Sequence, residues 1–161
     1  MQTDAVAFSG TGVESLENFF EGDADDVAVR CAVLKTAEPI TRVLTVDPAN
    51  TGVRLRRVLD QAASPQRATL YVGGVAAGTW YDPARNPWKR LAESEVELPP
   101  ALLRGKTKLR ITSQPQEGAW TIGELRALSH VDRPFPANGH TLSDSSHSTK
   151  PLDAGDATTN K

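Results

Sequence analysis

Leu70-Tyr71-Val72-Gly73-Gly74-Val75-Ala76-Ala77-Gly78-Thr79-Trp80 is the stretch that decides how this chain folds. Leu70 and Val72 fall on one side of an extended chain and Tyr71 on the other. The Gly-Gly pair between the two halves can take the positive φ angles of a two-residue hairpin turn. The pattern predicts a strand over Ala68 to Gly73 and its antiparallel return over Val75 to Tyr81.

The same period of two extends outward from this hairpin. Downstream, Lys106 to Ser113 places Thr107, Leu109 and Ile111 inward and Lys106, Lys108, Arg110 and Thr112 outward, a strand with one wet face. Gln114 to Gly118 reads as a loop, and Trp120 to Leu128 as a last strand carrying Trp120, Ile122 and Leu128. Glu93 to Leu98 stops at Pro99-Pro100 and reads as an edge strand protected by Glu93, Glu95 and Glu97. Ala101 to Gly105 forms a short glycine-capped turn. Upstream, Gly52 to Leu59 sets Val53, Leu55 and Arg57 against Arg54, Arg56 and Val58. Ile40 to Val46 is closed by the turn residues Asp47 to Gly52, and Val27 to Leu34 puts Val27, Val29, Cys31 and Val33 on one side. About eight or nine short strands with regular turn signals and no helical period predict an all-β fold, an antiparallel β-sandwich or jelly roll.

The pattern divides the chain into an N-terminal segment at 1–19, a sandwich domain at 20–130 and a polar tail at 131–161. Phe8 to Glu14 reads as a flexible entry segment. The tail holds only Leu142 and Leu152 as large apolar residues after Val131 and Phe135, so it buries too little surface to offset its ordering entropy and is expected to be disordered. Its His140 and His147 are too isolated to predict a metal site.

Composition narrows the function by exclusion. Eighteen basic and twenty acidic residues leave a net charge of −2, too balanced for the long-range field used by nucleic-acid or anionic-membrane binders, so neither is expected as a partner. No apolar run approaches the length that spans a bilayer. Met-Gln-Thr-Asp-Ala-Val is not the start of a signal peptide, which leaves the compartment open. The single cysteine, Cys31, cannot form an internal disulfide and reads as a buried thiol. No nucleophile elbow, phosphate loop, dinucleotide fingerprint or paired Cys/His spacing is present, so neither a cofactor, a metal nor a catalytic residue is assigned. Glu14, Glu17, Glu21, Asp23, Asp25 and Asp26 form an acidic stretch whose simplest reading is a solvated loop.

Binding chemistry is expected around the loop Asp82-Pro83-Ala84-Arg85-Asn86-Pro87-Trp88. Sugar rings lay their C–H faces on flat aromatics while amide and guanidinium groups bond the hydroxyls. On that ground Trp80, Tyr81, Asn86, Trp88 and Arg90 are the candidate substrate-binding residues, near Tyr71, Arg85 and Lys89. The competing reading is that some of these aromatics, Trp80 first among them, plug an end of the sandwich.

Thr51-Gly52-Val53-Arg54-Leu55-Arg56-Arg57, Asp60-Gln61, Ala77-Gly78-Thr79-Trp80-Tyr81, Asn86 and Leu98-Pro99-Pro100-Ala101-Leu102-Leu103-Arg104-Gly105-Lys106 occur in an order that resembles the C-terminal region of a bacterial family of double-jelly-roll glycoside hydrolases, formerly a domain of unknown function. The resemblance runs from about Phe20 to Ser129. It implies a jelly roll associated with arabinofuranosides or fructofuranosides and with trimer-based assembly. The family's catalytic carboxylates lie largely in an N-terminal roll of which this chain holds little. Gly10-Thr11-Gly12-Val13-Glu14 is similar to a segment near that active site, but no catalytic role passes to Glu14. The expectation is an accessory, carbohydrate-associated domain that does not turn over substrate alone, with an oligosaccharide as partner and either a homo-oligomer or a missing catalytic domain completing it. The alternatives are a compact glycosidase, with Glu14 paired to Glu17 or Glu21, and a lectin-like or oligomerisation module.

Overall fold

Alternation puts Val53, Leu55 and Arg57 on one face of the strand Gly52–Asp60, and all three are buried. This strand anchors a computed structural model that describes residues 2–24 and 27–132. Asp25, Asp26 and the polar tail from residue 133 on, with His140 and His147, lie outside the described residues. Among the described residues eleven strands follow in order: β1 Gln2–Ala7, β2 Val13–Asn18, β3 Val29–Thr36, β4 Ile40–Thr45, β5 Gly52–Asp60, β6 Gln66–Val72, β7 Val75–Asp82, β8 Leu91–Glu97, β9 Lys108–Glu117, β10 Trp120–Ile122 and β11 Glu124–His130. Short 3-10 turns occupy Gln61–Ala63 and Pro100–Leu102, and no helix among the described residues is long and apolar enough to cross a membrane.

Two four-stranded sheets, ordered β1-β11-β5-β8 and β4-β9-β6-β7, form the sandwich. Counting only their eight strands in chain order, the sheets read 1-8-3-6 and 2-7-4-5, the interlocked Greek keys of a jelly roll. Leu55, Leu125 and Ala127 from one sheet and Leu44, Leu70, Val72, Leu109 and Ile111 from the other share a single core with Trp80, Trp120 and Ile122. Burying each large apolar side chain contributes roughly 1.5–3 kcal/mol before chain entropy is charged against it. The hairpin turns at Gly73-Gly74 with φ of 58° and 87°, the positive values that its two glycines foreshadow.

The third sheet, β10-β3-β2, departs from the pattern reading. Residues 2–7 and 13–18, expected in a segment outside the sandwich, form β1 on β11 and β2 on β3. Both owe their order to partners distant in sequence, which local alternation does not reveal. Val27 and Val29 are exposed rather than buried with Val33, because the cover over that end comes from Leu16, Phe20, Cys31, Val58 and Leu91. Cys31 is accordingly only half-buried.

Trp120 to Leu128 is not one strand. β10 pairs with β3, then the chain breaks at Gly123 and β11 pairs with β5. Gly123 N donates to Val58 O (2.8 Å), and a Cβ there would meet Cys31 Sγ at 2.6 Å, so the crossover passes where only glycine fits. β9 also runs on through Gln114 to Glu117, where a loop was expected, because β6 pairs with it across a bulge.

Candidate functional site

Loop 83–90 joins β7 to β8 and is built around Asn86. Asn86 Oδ1 accepts from Trp88 N (3.1 Å) and Lys89 N (3.0 Å), a local turn that competes with regular structure in this proline-flanked segment. The turn leaves Trp88 80% exposed, the most exposed aromatic among the large apolar residues described. The loop is fastened to residues 18–23: Asn86 Nδ2 lies 3.4 Å from Glu21 Oε1, Lys89 Nζ donates to Asp23 O (3.3 Å), and Arg90 N donates to Asn18 Oδ1 (2.9 Å). Gln61 Nε2 donates to the other Glu21 oxygen (2.5 Å).

An open cleft of about 420 Å³ lies against the fastened segment, lined by Phe20, Glu21, Asp23, Ala92 and Glu93. Backbone bonds from Glu21 N to Leu91 O (2.8 Å) and from Leu91 N to Phe19 O (3.2 Å) hold its wall to the start of β8. The cleft therefore combines an aromatic wall with carboxylate acceptors, beside a loop that presents a tryptophan.

Of the residues expected at a binding site, Asn86 and Trp88 come together here and three do not. Trp80 is 2% exposed; its Nε1 donates to Ser94 Oγ (2.7 Å) and its ring meets Trp120 edge-on at 5.9 Å. It plugs the core, as the competing reading had it. Arg90 is engaged by Asp60, Nε to Oδ1 at 2.9 Å with a second bond from the guanidinium to Oδ2. Tyr81 points to the outer face of β7, 46% exposed, with the Arg67 guanidinium 4.3 Å from its ring centroid. Phe20, Gln61 and Glu93 entered no site expectation; the parallel bridge between Phe20 and Leu91 that assembles them is a tertiary contact with no sequence signal.

In the acidic N-terminal stretch, Glu14 and Glu17, one of the two pairs open to the glycosidase alternative, are not brought together. Alternation along β2 sends Glu14 and Glu17 to opposite faces, and Glu17 is ion-paired with Arg30 (2.6 Å). No group of three or more His, Cys, Asp or Glu side chains among the described residues could hold a metal ion.

The fold and site thus define a jelly-roll β-sandwich with an aromatic loop beside a polar cleft. No family model matches the chain, so the resemblance to double-jelly-roll glycoside hydrolases gains no support there, and no curated protein matches it. Among solved structures it is similar to the carbohydrate binding module CBM6cm-2 from Cellvibrio mixtus lichenase 5A in complex with cellotriose, at 15% identity, TM-score 0.45, covering 78% of this chain and 95% of that one. It is also similar to the C-terminal CBM6 of LamC, a marine laminarinase from Zobellia galactanivorans, at 10% identity, TM-score 0.47, covering 80% and 100%. A third is the CBM35 from Cellvibrio japonicus Abf62, at 14% identity, TM-score 0.35, covering 82% and 96%. The fold assignment rests on the chain's own sheets and their order.

Proposed function

We propose that this chain is a non-catalytic saccharide-binding module that stacks a sugar ring on Trp88 and bonds its hydroxyls through the polar groups of the adjoining cleft. One observation carries the reading: Trp88 is held out in solvent by the Asn86 turn, on a loop tied to the cleft wall at Glu21 and Asp23. An exposed tryptophan on a braced turn contributes nothing to the core, and its flat face is the surface that sugar C–H groups pack against. Glu21 and Asp23 offer acceptors to hydroxyl donors. Arabinofuranosides and fructofuranosides, the sugars implied by the sequence resemblance, are the first ligands to try.

The test is calorimetric titration of the chain with arabinan, fructan and β-glucan oligosaccharides, with Trp88→Ala alongside. Binding to at least one of them is expected, with affinity falling about tenfold or more in Trp88→Ala, the loss of roughly 1.4 kcal/mol of contact. Binding that survives Trp88→Ala unchanged overturns this site. Turnover of any of these sugars or of a p-nitrophenyl furanoside overturns the non-catalytic reading.

A further inference from the structure

The Asn86 turn gives loop 83–90 its shape, but the distance of that turn from the cleft wall is set by bonds to other parts of the chain. Three of these are long and exposed: Asn86 Nδ2 to Glu21 Oε1 (3.4 Å), Arg85 Nε to Ala62 O (3.4 Å) and Lys89 Nζ to Asp23 O (3.3 Å). Arg90 fixes the foot of the loop. Its N donates to Asn18 Oδ1 (2.9 Å), its O accepts from Gln61 N (2.7 Å) and its guanidinium lies on Asp60.

One side chain reaches higher. Gln61 is 3% exposed, and its Nε2 donates to Glu21 Oε2 (2.5 Å) and to Lys89 O (3.2 Å). Both partners are acceptors, so the amide nitrogen is the atom that must face them. The two hydrogens of a single amide thus join the cleft wall to the residue that follows Trp88. Gln61 is itself fixed in place: it opens the 3-10 turn Gln61–Ala63, which Asp60 caps by accepting from Ala62 N (3.0 Å).

We infer that Gln61 is the positioning residue of the saccharide site, holding the Trp88 loop and the Glu21 carboxylate at the spacing that a bound sugar spans. The inference rests on the reading of Trp88 as a sugar platform. Gln61 needs no contact with the ligand, because its amide hydrogens are spent on Glu21 and Lys89 and it acts through them. Holding Oε2 leaves Glu21 Oε1, which has only the long Asn86 contact, as the acceptor for a sugar hydroxyl. Gln61→Glu keeps the shape of the side chain, removes both donors and sets a carboxylate against Glu21. The other charged groups around it are Asp23 and Asp60, and Arg85, Lys89 and Arg90, whose side chains already donate to Ala62 O, Asp23 O and Asp60. Two carboxylates in contact take up a shared proton above the usual glutamate range, and that proton restores a donor between them. The variant is therefore weakest at high pH and recovers as pH falls.

Calorimetric titration of the full chain with the same arabinan, fructan and β-glucan oligosaccharides, at about pH 8 and about pH 5, tests it. Gln61→Glu is expected to bind about tenfold more weakly than the parent at the higher pH and within about threefold of it at the lower. Gln61→Leu, which has nothing to protonate, should stay about tenfold weaker at both. Amide exchange at Trp88 and Lys89, whose N–H groups bond Asn86 Oδ1, reads the loop without any ligand. It should be faster in Gln61→Glu than in the parent at the higher pH, with the excess lost at the lower. Exchange and affinity equal to the parent's in both variants overturn the inference. A Gln61→Glu deficit equal at both pH values overturns it too, because a fault in packing alone does not answer to a proton. If the parent binds none of these sugars, or binds them undiminished in Trp88→Ala, while exchange follows the expected pattern, the saccharide reading falls and the positioning of the loop by Gln61 stands.

Discussion

The guanidinium carbon of Arg57 sits 3.3 Å from the centroid of the Trp120 ring, fully buried between the sheets. Trp80 lies on its other flank at 5.2 Å. Arg57 donates to Gln66 Oε1 (3.1 Å), to Thr121 O (2.7 Å) and to Asp82 Oδ2 (2.5 Å), and Asp82 accepts from Ser94, which accepts from Trp80. A charge in the core is tolerated because it has both a counter-ion and aromatic faces.

Arg57→Ala should therefore cost roughly 3–5 kcal/mol in urea unfolding, since it strands the Asp82 carboxylate and opens a void beside two tryptophans. Arg57→Met combined with Asp82→Asn should lose less than the sum of the single changes. Burial pulls the Arg57 guanidinium down to about 10 against the upward pull of Asp82. It stays charged throughout the neutral range, so the Arg57→Ala deficit should be constant from about pH 6 to 8.

The ion pairs on the outer face predict an acid dependence. Partial burial pushes the Glu95 carboxyl up, but the hydrogen bond and charge of Arg56, with Arg54 behind them, outweigh it and hold the group below the usual glutamate value. A carboxylate depressed in the folded state contributes stability that is present above its unfolded pKa and is lost as pH falls through the folded one. The unaltered chain should lose stability on acidification below about pH 4.3, the ordinary glutamate value, more steeply than Glu95→Gln. Parallel slopes in unfolding scans across that range would refute the assignment.

The tryptophans should separate optically. Trp80 and Trp120 are buried and Trp88 is exposed. Trp88→Phe should shift emission to shorter wavelength and remove most of the iodide-accessible fluorescence, with unfolding free energy changed by less than about 0.5 kcal/mol, as befits a surface position. Iodide quenching that is unaltered in Trp88→Phe would show that the loop is packed.

Gly123 and Cys31 should be energetically coupled. Gly123→Ala places a methyl against Cys31 Sγ and should cost about 1–3 kcal/mol. Cys31→Ala removes the sulfur, so the double variant should recover part of that loss in a double-mutant cycle. Strict additivity would mean that the β10–β11 crossover tolerates a side chain by moving elsewhere.

Much of the architecture was legible because a half-buried strand writes its period into the chain. Leu70 and Val72, Leu109 and Ile111, and Val53 and Leu55 face the core as their alternation requires. β8 is an edge strand, as its glutamates suggested, and Arg54 and Arg56 share a face. Their pairing with Glu95 was not legible, because register between β5 and β8 is set across a long separation in sequence. The candidate loop was legible in part. Asn86 and Trp88 share one turn because they are neighbours in the chain, whereas Trp80 and Arg90, which composition could not tell apart from them, are consumed by Ser94 and Asp60.

By itself the sequence determined the all-β class, the hairpin at Gly73-Gly74 and the identity of the exposed loop, because these depend on backbone φ preference and on a period of two that neighbouring residues report. Only the tertiary structure decided that Arg57 lies between tryptophans, that Gly123 moves the chain from one sheet to another, and that Glu21 faces Asn86 across the cleft wall. Each depends on strands far apart in the chain meeting in register, and the closing of those long loops leaves no local mark on the residues involved.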